Sequence, residues 1–330
     1  MALTVAGASG LLVAVMLARS TGSPSGSAGS GGRGGGRGTA APERSGTAAP
    51  AGGGTAAPER GGTAAPERGG TAAWGGRGTA GSPAVAGAPQ AAERLAVRVL
   101  SVRPHDPRAY TQGLVWDHGT LYESAGLYGS SSLRQVDPLT GEVLRQRDVP
   151  PGYFAEGLAL VGDRLVQLTW KEGVALIYEA RTFERRGEYR YEGEGWGLCD
   201  DGRRLVMSDG SDRLSFRDRA TFALLGGVDV RLDGQPLRQL NELECLAGAV
   251  YANVWMSDQI VRIDPATGRV TAAIDAGGLL DAAEQARADV LNGIAYDAAK
   301  KTFLITGKLW PKLFEVVFEP APAKTPPRPR

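Results

Sequence analysis

Residues 156–170 read EGLALVGDRLVQLTW, and residues 174–191 read VALIYEARTFERRGEYRY. The first stretch is a short strand, a Gly162-Asp163 turn and a second strand, with apolar residues at alternate positions. The second stretch holds two more strands joined by a polar connection. Working outward, the opening signature recurs as Gln112-Gly-Leu-Val-Trp, Glu156-Gly-Leu-Ala-Leu, Trp196-Gly-Leu-Cys-Asp, Asn241-Glu-Leu-Glu-Cys and Asn292-Gly-Ile-Ala-Tyr. The starts are 44, 40, 45 and 51 residues apart, the spacing of a four-stranded propeller blade. Turn sequences DHG, VGD, DDG and DAAKK fall at matching places in four segments. In two of them the third strand runs into the same device, VDPLTGEV at 136–143 and IDPATGRV at 263–270, where Asp-Pro opens a turn and Gly supplies the positive φ.

The last segment, Asn292 to Phe318, has room for three strands. The alternating stretch Leu95–Arg103 is expected to supply the missing outer one and so leave no free edge at the seam. Leu279, Leu280, Ala283, Ala286 and Leu291 stand at helical spacing, which predicts a short helix within 277–291. The expected fold is all-β, a five-bladed β-propeller with a disordered N-terminal extension. A pair of β-sandwiches does not explain starts that recur every 40 to 51 residues.

The rest of the chain is of a different kind. Residues 1–20 carry the short apolar run Leu11–Leu17, which is too brief to span a bilayer and reads as a signal peptide, although no Lys or Arg precedes it. Export to the periplasm or the medium is the expectation. Residues 21–94 contain an octapeptide repeat (TAAPERSG, TAAPAGGG, TAAPERGG twice) with no apolar face at helical or strand spacing, hence a linker without a core. The propeller is expected over 95–319 and a Pro-rich tail over 320–330.

The net charge is +1, with 37 basic and 36 acidic residues interspersed, so no nucleic-acid partner is expected. Nothing in the sequence argues for an oligomer, and a monomer is expected. The two cysteines, Cys199 and Cys245, have apolar neighbours and read as buried thiols rather than a bridge.

In a propeller the innermost strand of each blade lines the axis, so the five signatures send Gln112, Glu156, Trp196, Asn241 and Asn292 toward one pocket. The second strands end on Trp170, Trp255, Lys308 and Trp310, and together with Trp196 these tryptophans suggest an aromatic box. By strand alternation Glu242 and Glu244 point away from Asn241 and read as sheet surface. His105 and His118 have no Cys or His at ligand spacing, so neither a metal site nor a cofactor is expected.

At this point eight motifs in order, PHDPRAYTQGL (104–114), YFAEGL (153–158), LTWKEG (168–173), EGWGL (194–198), NELE (241–244), ANVW (252–255), VLNGIA (290–295) and TGKLWP (306–311), resemble the plant-type and bacterial glutaminyl-peptide cyclotransferases. The resemblance runs from Val97 to Phe318 and implies a five-bladed propeller that needs no catalytic metal, unrelated to the zinc-dependent animal cyclases. It implies peptides or proteins with N-terminal glutamine as substrates. It places the acid/base carboxylate on Glu156 and pocket-lining roles on Gln112, Trp170, Trp196, Asn241, Trp255 and Lys308. Tyr110 departs from the Phe that the family often has before T-Q-G-L.

The implied reaction sends the substrate's α-amine onto its own γ-carboxamide carbon and releases ammonia. One carboxyl group can carry the proton from one nitrogen to the other, and a partly dry aromatic pocket would raise its pKa for that purpose. Asn241 and Lys308 are candidates to stabilise the developing oxyanion, and Gln112 to orient the amide. Two other readings compete. A metal-dependent propeller lactonase or hydrolase would lose activity with a chelator. A non-catalytic peptide-binding propeller would bind glutamine peptides without releasing ammonia.

Overall fold

The computed structural model describes residues 91–322. The expected signal peptide, nearly all of the expected linker and most of the expected tail lie outside the described residues.

Strand β1 (Glu93–Pro104) comes first. Three four-stranded antiparallel meanders follow. The first is β2 (Thr111–Asp117), β3 (Thr120–Ala125), β4 (Ser132–Val136) and β5 (Val143–Asp148). The second is β6 (Ala155–Val161), β7 (Arg164–Thr169), β8 (Val174–Glu179) and β9 (Arg185–Arg190). The third is β10 (Leu198–Asp200), β11 (Leu205–Met207), β12 (Arg213–Arg217) and β13 (Leu224–Asp229). A small hairpin, β14 (Arg231–Leu232) and β15 (Gln235–Pro236), turns at Asp233-Gly234, both at positive φ. Then come β16 (Leu240–Leu246), β17 (Ala249–Val254), β18 (Gln259–Ile263) and β19 (Val270–Asp275), helix α1 (Ala282–Gln285), and β20 (Leu291–Asp297), β21 (Thr302–Gly307) and β22 (Lys312–Pro320).

The last two groups merge through β1 into one eight-stranded sheet, ordered β16-β17-β18-β19-β1-β22-β21-β20. β1 runs antiparallel to β22 from Leu95↔Pro320 to Pro104↔Lys312, as the expected outer strand. It also pairs in parallel with β19, from Glu93↔Ala272 to Ala96↔Asp275, and so ties the two ends of the folded chain together. The innermost strands touch in succession, β2 on β6, β6 on β10, β10 on β16, β16 on β20 and β20 on β2, so that a propeller-like ring forms around one axis. Apolar faces of neighbouring sheets interlock between them. Leu158, Leu176 and Tyr178 of the second sheet, for example, pack with Tyr122 and Leu133 of the first. Each fully buried side chain of this size contributes about 1.5–3 kcal/mol.

The recurring glycine of the signature has a steric reason. A Cβ on Gly157 would lie 2.6 Å from Leu198 N, one on Gly113 2.6 Å from Leu158 N, and one on Gly197 2.0 Å from Asn241 O. The next inner strand passes where a side chain would be. Four of the inner strands also carry a bulge at the signature, between Thr111 and Gly113, Ala155 and Leu158, Leu240 and Leu243, and Leu291 and Ile294. A bulge turns a side chain out of simple alternation, and here it turns Gln112, Glu156, Asn241 and Asn292.

Three expectations need correction. Glu242 is not sheet surface. It stands where the other signatures have glycine, it is fully buried, and its two carboxylate oxygens accept from Leu114 N (3.3 Å) and Ile294 N (2.8 Å) across the ring. The bulge at Asn241–Glu242 breaks the alternation on which the surface reading relied. Glu244 lines a cavity of about 190 Å³ with Trp116 and Asp200, and burial pushes its carboxyl up to about 8. Cys199 and Cys245 are a disulfide, not free thiols. They sit on the adjacent inner strands β10 and β16, which a sequence separation of 46 hides. Finally, the helix within 277–291 is only the four residues of α1, with an Asp281–Glu284 capping box and no buried side chain, while Leu291 already belongs to β20.

Candidate active site

The bulged signatures and the loops after the second strands meet at one end of the ring. Glu156, at the start of β6, is 5% exposed, and its Oε1 accepts a hydrogen bond from Gln112 Nε2 at 3.1 Å. No other described residue hydrogen-bonds its side chain. The Gln112 amide is oriented in turn by Asn292, whose Nδ2 donates to Gln112 Oε1 (3.2 Å) and to Thr111 O (3.0 Å). Asn292 thus supports Gln112 through its Nδ2, while its buried Oδ1 has no hydrogen-bond partner among the described residues.

Burial drives the Glu156 carboxyl well above the ordinary carboxylate value. Lys308 opposes that rise, while the charges of Glu194 and Glu172 add to it. Burial also lowers the Lys308 ammonium, against the pull of Glu156 and Asp289. Lys308 Nζ lies 4.9 Å from the centroid of the Tyr110 ring, a cation–π contact. The additional hydroxyl that Tyr110 has over phenylalanine donates to Asp289 Oδ2 at 3.0 Å. The departure at Tyr110 thus docks the segment after α1 onto the pocket. Asn241 is buried and its Oδ1 has no hydrogen-bond partner among the described residues.

The aromatic wall is a chain of edge-to-face contacts. Tyr110 meets Phe154 (centroids 6.2 Å apart), Phe154 meets Trp170 (5.6 Å), and Trp196 meets Trp255 (5.5 Å). Trp170, Trp196 and Trp255 are all half-buried. Trp310 does not join them. It is 2% exposed, its Nε1 donates to Asp289 O (2.9 Å), and it packs on Phe314 in the core. Gly307 makes room for it, since a Cβ there would lie 2.3 Å from the indole nitrogen.

This arrangement of a buried carboxyl, a neighbouring amine and an indole wall can now be set beside known proteins. The family model for glutamine cyclotransferase matches residues 74–318. The chain belongs to the glutamine cyclotransferase family. It is 41% identical over 235 residues to a glutaminyl-peptide cyclotransferase of Arabidopsis thaliana, covering 69% of this chain and 73% of that one. It is similar to the crystal structure of Myxococcus xanthus glutaminyl cyclase, with 41% identity, a TM-score of 0.64, and coverage of 70% of this chain and all of the other.

Two residues of this cyclotransferase pocket escaped the sequence reading. Glu194 bonds the indoles of both Trp170 and Trp196. Glu172 accepts from the Tyr128 hydroxyl at 2.8 Å. Both lie inside recognised motifs, EGWGL and LTWKEG, but neither has the periodic position that singled out the others. The signal available was their sequence distance of two from a pocket tryptophan.

Proposed function

We propose that the fold is a five-bladed propeller, counted as three four-stranded sheets plus two halves of the eight-stranded one, and that it closes N-terminal glutamine of peptides to pyroglutamate. The observation that carries the reading is Glu156, a carboxyl whose hold on its proton is strengthened by burial and which is gripped on one oxygen by Gln112. The substrate's α-amine attacks the γ-carboxamide carbon, the new C–N bond forms, and the bond to the amide nitrogen breaks. Glu156 gives its proton to that leaving nitrogen and takes one from the attacking amine, so ammonia leaves and the carboxyl is restored. Such help is worth ~10²–10⁴ in rate. Lys308 is placed to stabilise the oxyanion. The unpaired Asn241 Oδ1 suits an N–H of the substrate better than the oxyanion. Trp170, Trp196 and Trp255 hold the side chain folded for attack and keep water out.

The disulfide supports an exported protein, because such bonds persist in oxidising compartments. Acting as a monomer is the simplest assembly for a pocket built wholly within one chain.

The test is ammonia release from a glutamine-initiated dipeptide by the full chain, with and without chelator, beside Glu156→Gln. The expected result is release that persists with chelator and falls by ~10²–10⁴ in the variant. Loss on chelation would favour a metal-dependent hydrolase, and binding without release would favour a peptide-binding propeller.

A further inference from the structure

Between β9 and β10 the chain passes through Tyr191-Glu-Gly-Glu-Gly-Trp196. Gly193 takes a φ of +84°, and Gly195 is pressed so close that a Cβ would lie 2.9 Å from Thr169 O. Gly195 N donates to Trp170 O (2.8 Å) and Trp196 N to Ser208 O (3.0 Å). The residue between the two glycines, Glu194, is thus held by its own backbone beside the second sheet. Its Oε2 accepts from two indoles at once, Trp170 Nε1 at 2.8 Å and Trp196 Nε1 at 3.0 Å. Trp170 comes from the loop after β7, and Trp196 from the start of the third sheet. Among the described residues no ring contact joins the aromatic chain Tyr110–Phe154–Trp170 to the pair Trp196–Trp255, and this carboxylate bridges them side chain to side chain. Lys171 lies 3.8 Å from the Trp170 ring centroid and 3.8 Å from Glu194 Oε1, so one ammonium braces both the ring and its acceptor.

We infer that Glu194 is a positioning residue of the reaction, a clamp that locks the indoles of Trp170 and Trp196 into one continuous wall against which the substrate glutamine is folded. The inference rests on the cyclotransferase reading for its consequence in catalysis, though not for the clamp itself. A carboxylate bonding two N–H groups is a charge-assisted pair of hydrogen bonds, stronger than neutral ones. The wall contacts the glutamine in ground and transition states alike, so losing its order raises KM more than it lowers kcat.

Three substitutions in the full chain separate the clamp from a general structural role. Glu194→Ala removes the acceptor, and KM for a glutamine dipeptide is expected to rise roughly tenfold, with a much smaller change in kcat. Glu194→Gln keeps an oxygen that can accept from both indoles, so KM is expected to stay near the wild-type value. Glu194→Asp is too short to reach both and is expected to behave like alanine. If the alanine variant does not fold, the contrast between Gln and Asp decides the matter. Equal KM values for those two overturn the clamp.

The glutamine variant should nevertheless move the pH profile. The charged and titratable groups facing Glu156 are Lys308, Glu172 and Glu194, with the phenols of Tyr110, Tyr128 and Tyr191. Removing the negative charge of Glu194 lets Glu156 ionise more readily, so the limb of the profile governed by Glu156 moves to lower pH. A second readout needs no activity. The chain has six tryptophans, and of their indole N–H resonances those of Trp170 and Trp196, assigned with phenylalanine variants, are expected to shift in Glu194→Ala. Should the wild type release no ammonia, the cyclotransferase reading falls and the resonances alone judge the clamp. Unmoved resonances overturn it.

Discussion

Replacing Gly197 by alanine tests the steric logic of the ring and its hold on the site together. An ideal Cβ at Gly197 lies 2.0 Å from Asn241 O, 2.8 Å from Leu243 Cγ and 2.9 Å from Asn241 C. Cβ atoms do not approach neighbours closer than 3.0 Å, so the strands must part by about 1 Å at Asn241. That oxygen also accepts from Ser208 Oγ at 2.6 Å, and Ser208 Oγ accepts from Gly197 N at 2.8 Å, so three groups move at once. Overpacking of this kind costs ~1–3 kcal/mol. For a domain of this size that is a fall in Tm of roughly 2–4 °C per kcal/mol. Because Asn241 lines the pocket, a displacement of ~1 Å also costs on the order of 10²-fold in rate. The control is Gly187→Ala on the outer strand β9, where the nearest atom, Ile177 Cδ1, is 3.8 Å away. That variant should match the wild type or gain up to ~1 kcal/mol through a stiffer unfolded chain. Thermal unfolding followed by tryptophan fluorescence and the rate of ammonia release measure both effects. Equal Tm and equal rate for the two alanine variants would refute the close-approach argument.

Three further outcomes are expected. His105 and Glu123 form a buried ion pair at 2.9 Å, and His105→Ala should cost ~3–5 kcal/mol in urea unfolding because Glu123 is left behind in the interior. Burial works against the charge on both groups, but each partner outweighs it, raising His105 above its ordinary 6.5 and lowering Glu123 below its ordinary 4.5. The Glu123 share is therefore lost as pH falls through its lowered pKa, and the His105 share as pH rises through its raised one. The pair's contribution should peak between pH 4.5 and 6.5 and decline on either side, which a pH series of unfolding midpoints will show. Reducing the Cys199–Cys245 bridge, or changing both residues to Ser, opens a loop of 46 residues and should cost about 4 kcal/mol, read as a drop in Tm that wild-type protein shows only with reductant. Met256, exposed and held at a φ of +63°, should gain up to ~1 kcal/mol as glycine, which adopts that backbone without strain; an unchanged or lower Tm would count against it.

Much of the architecture could be read before any coordinates because each inner strand meets the same demand. A polar residue must face the axis and a glycine must let the next strand pass, so the pair recurs at blade spacing. The Asp137 and Asp264 turns were legible for a similar local reason, each carboxylate accepting a backbone N–H two residues on. What stayed hidden depends on contacts between segments. Glu242 breaks the glycine rule because its carboxylate satisfies N–H groups on two other inner strands, β2 and β20, and the bulge beside it defeats a count of alternation. The disulfide joins neighbours in space that have no local signature. Trp310 carries the same rim spacing as Trp170 and Trp255, yet the Gly307 gap lets it fold inward. Glu194 matters through two nitrogens belonging to other elements, which no spacing rule encodes.

The seam made by β1 sets a timetable. Arg98 and Glu319, paired across β1 and β22, are 221 residues apart, and at ~5–20 residues per second the ribosome needs roughly 10–45 s to deliver the second after the first. Until β19 and β22 emerge, β1 is a lone strand with open hydrogen-bonding groups along both sides. The ring thus stays unlatched until the last strands are made, an interval open to mispairing with another chain. A circular permutant that begins at β2 and carries β1 directly after β22 would shut the latch by a short local hairpin, trading that long open interval for early closure.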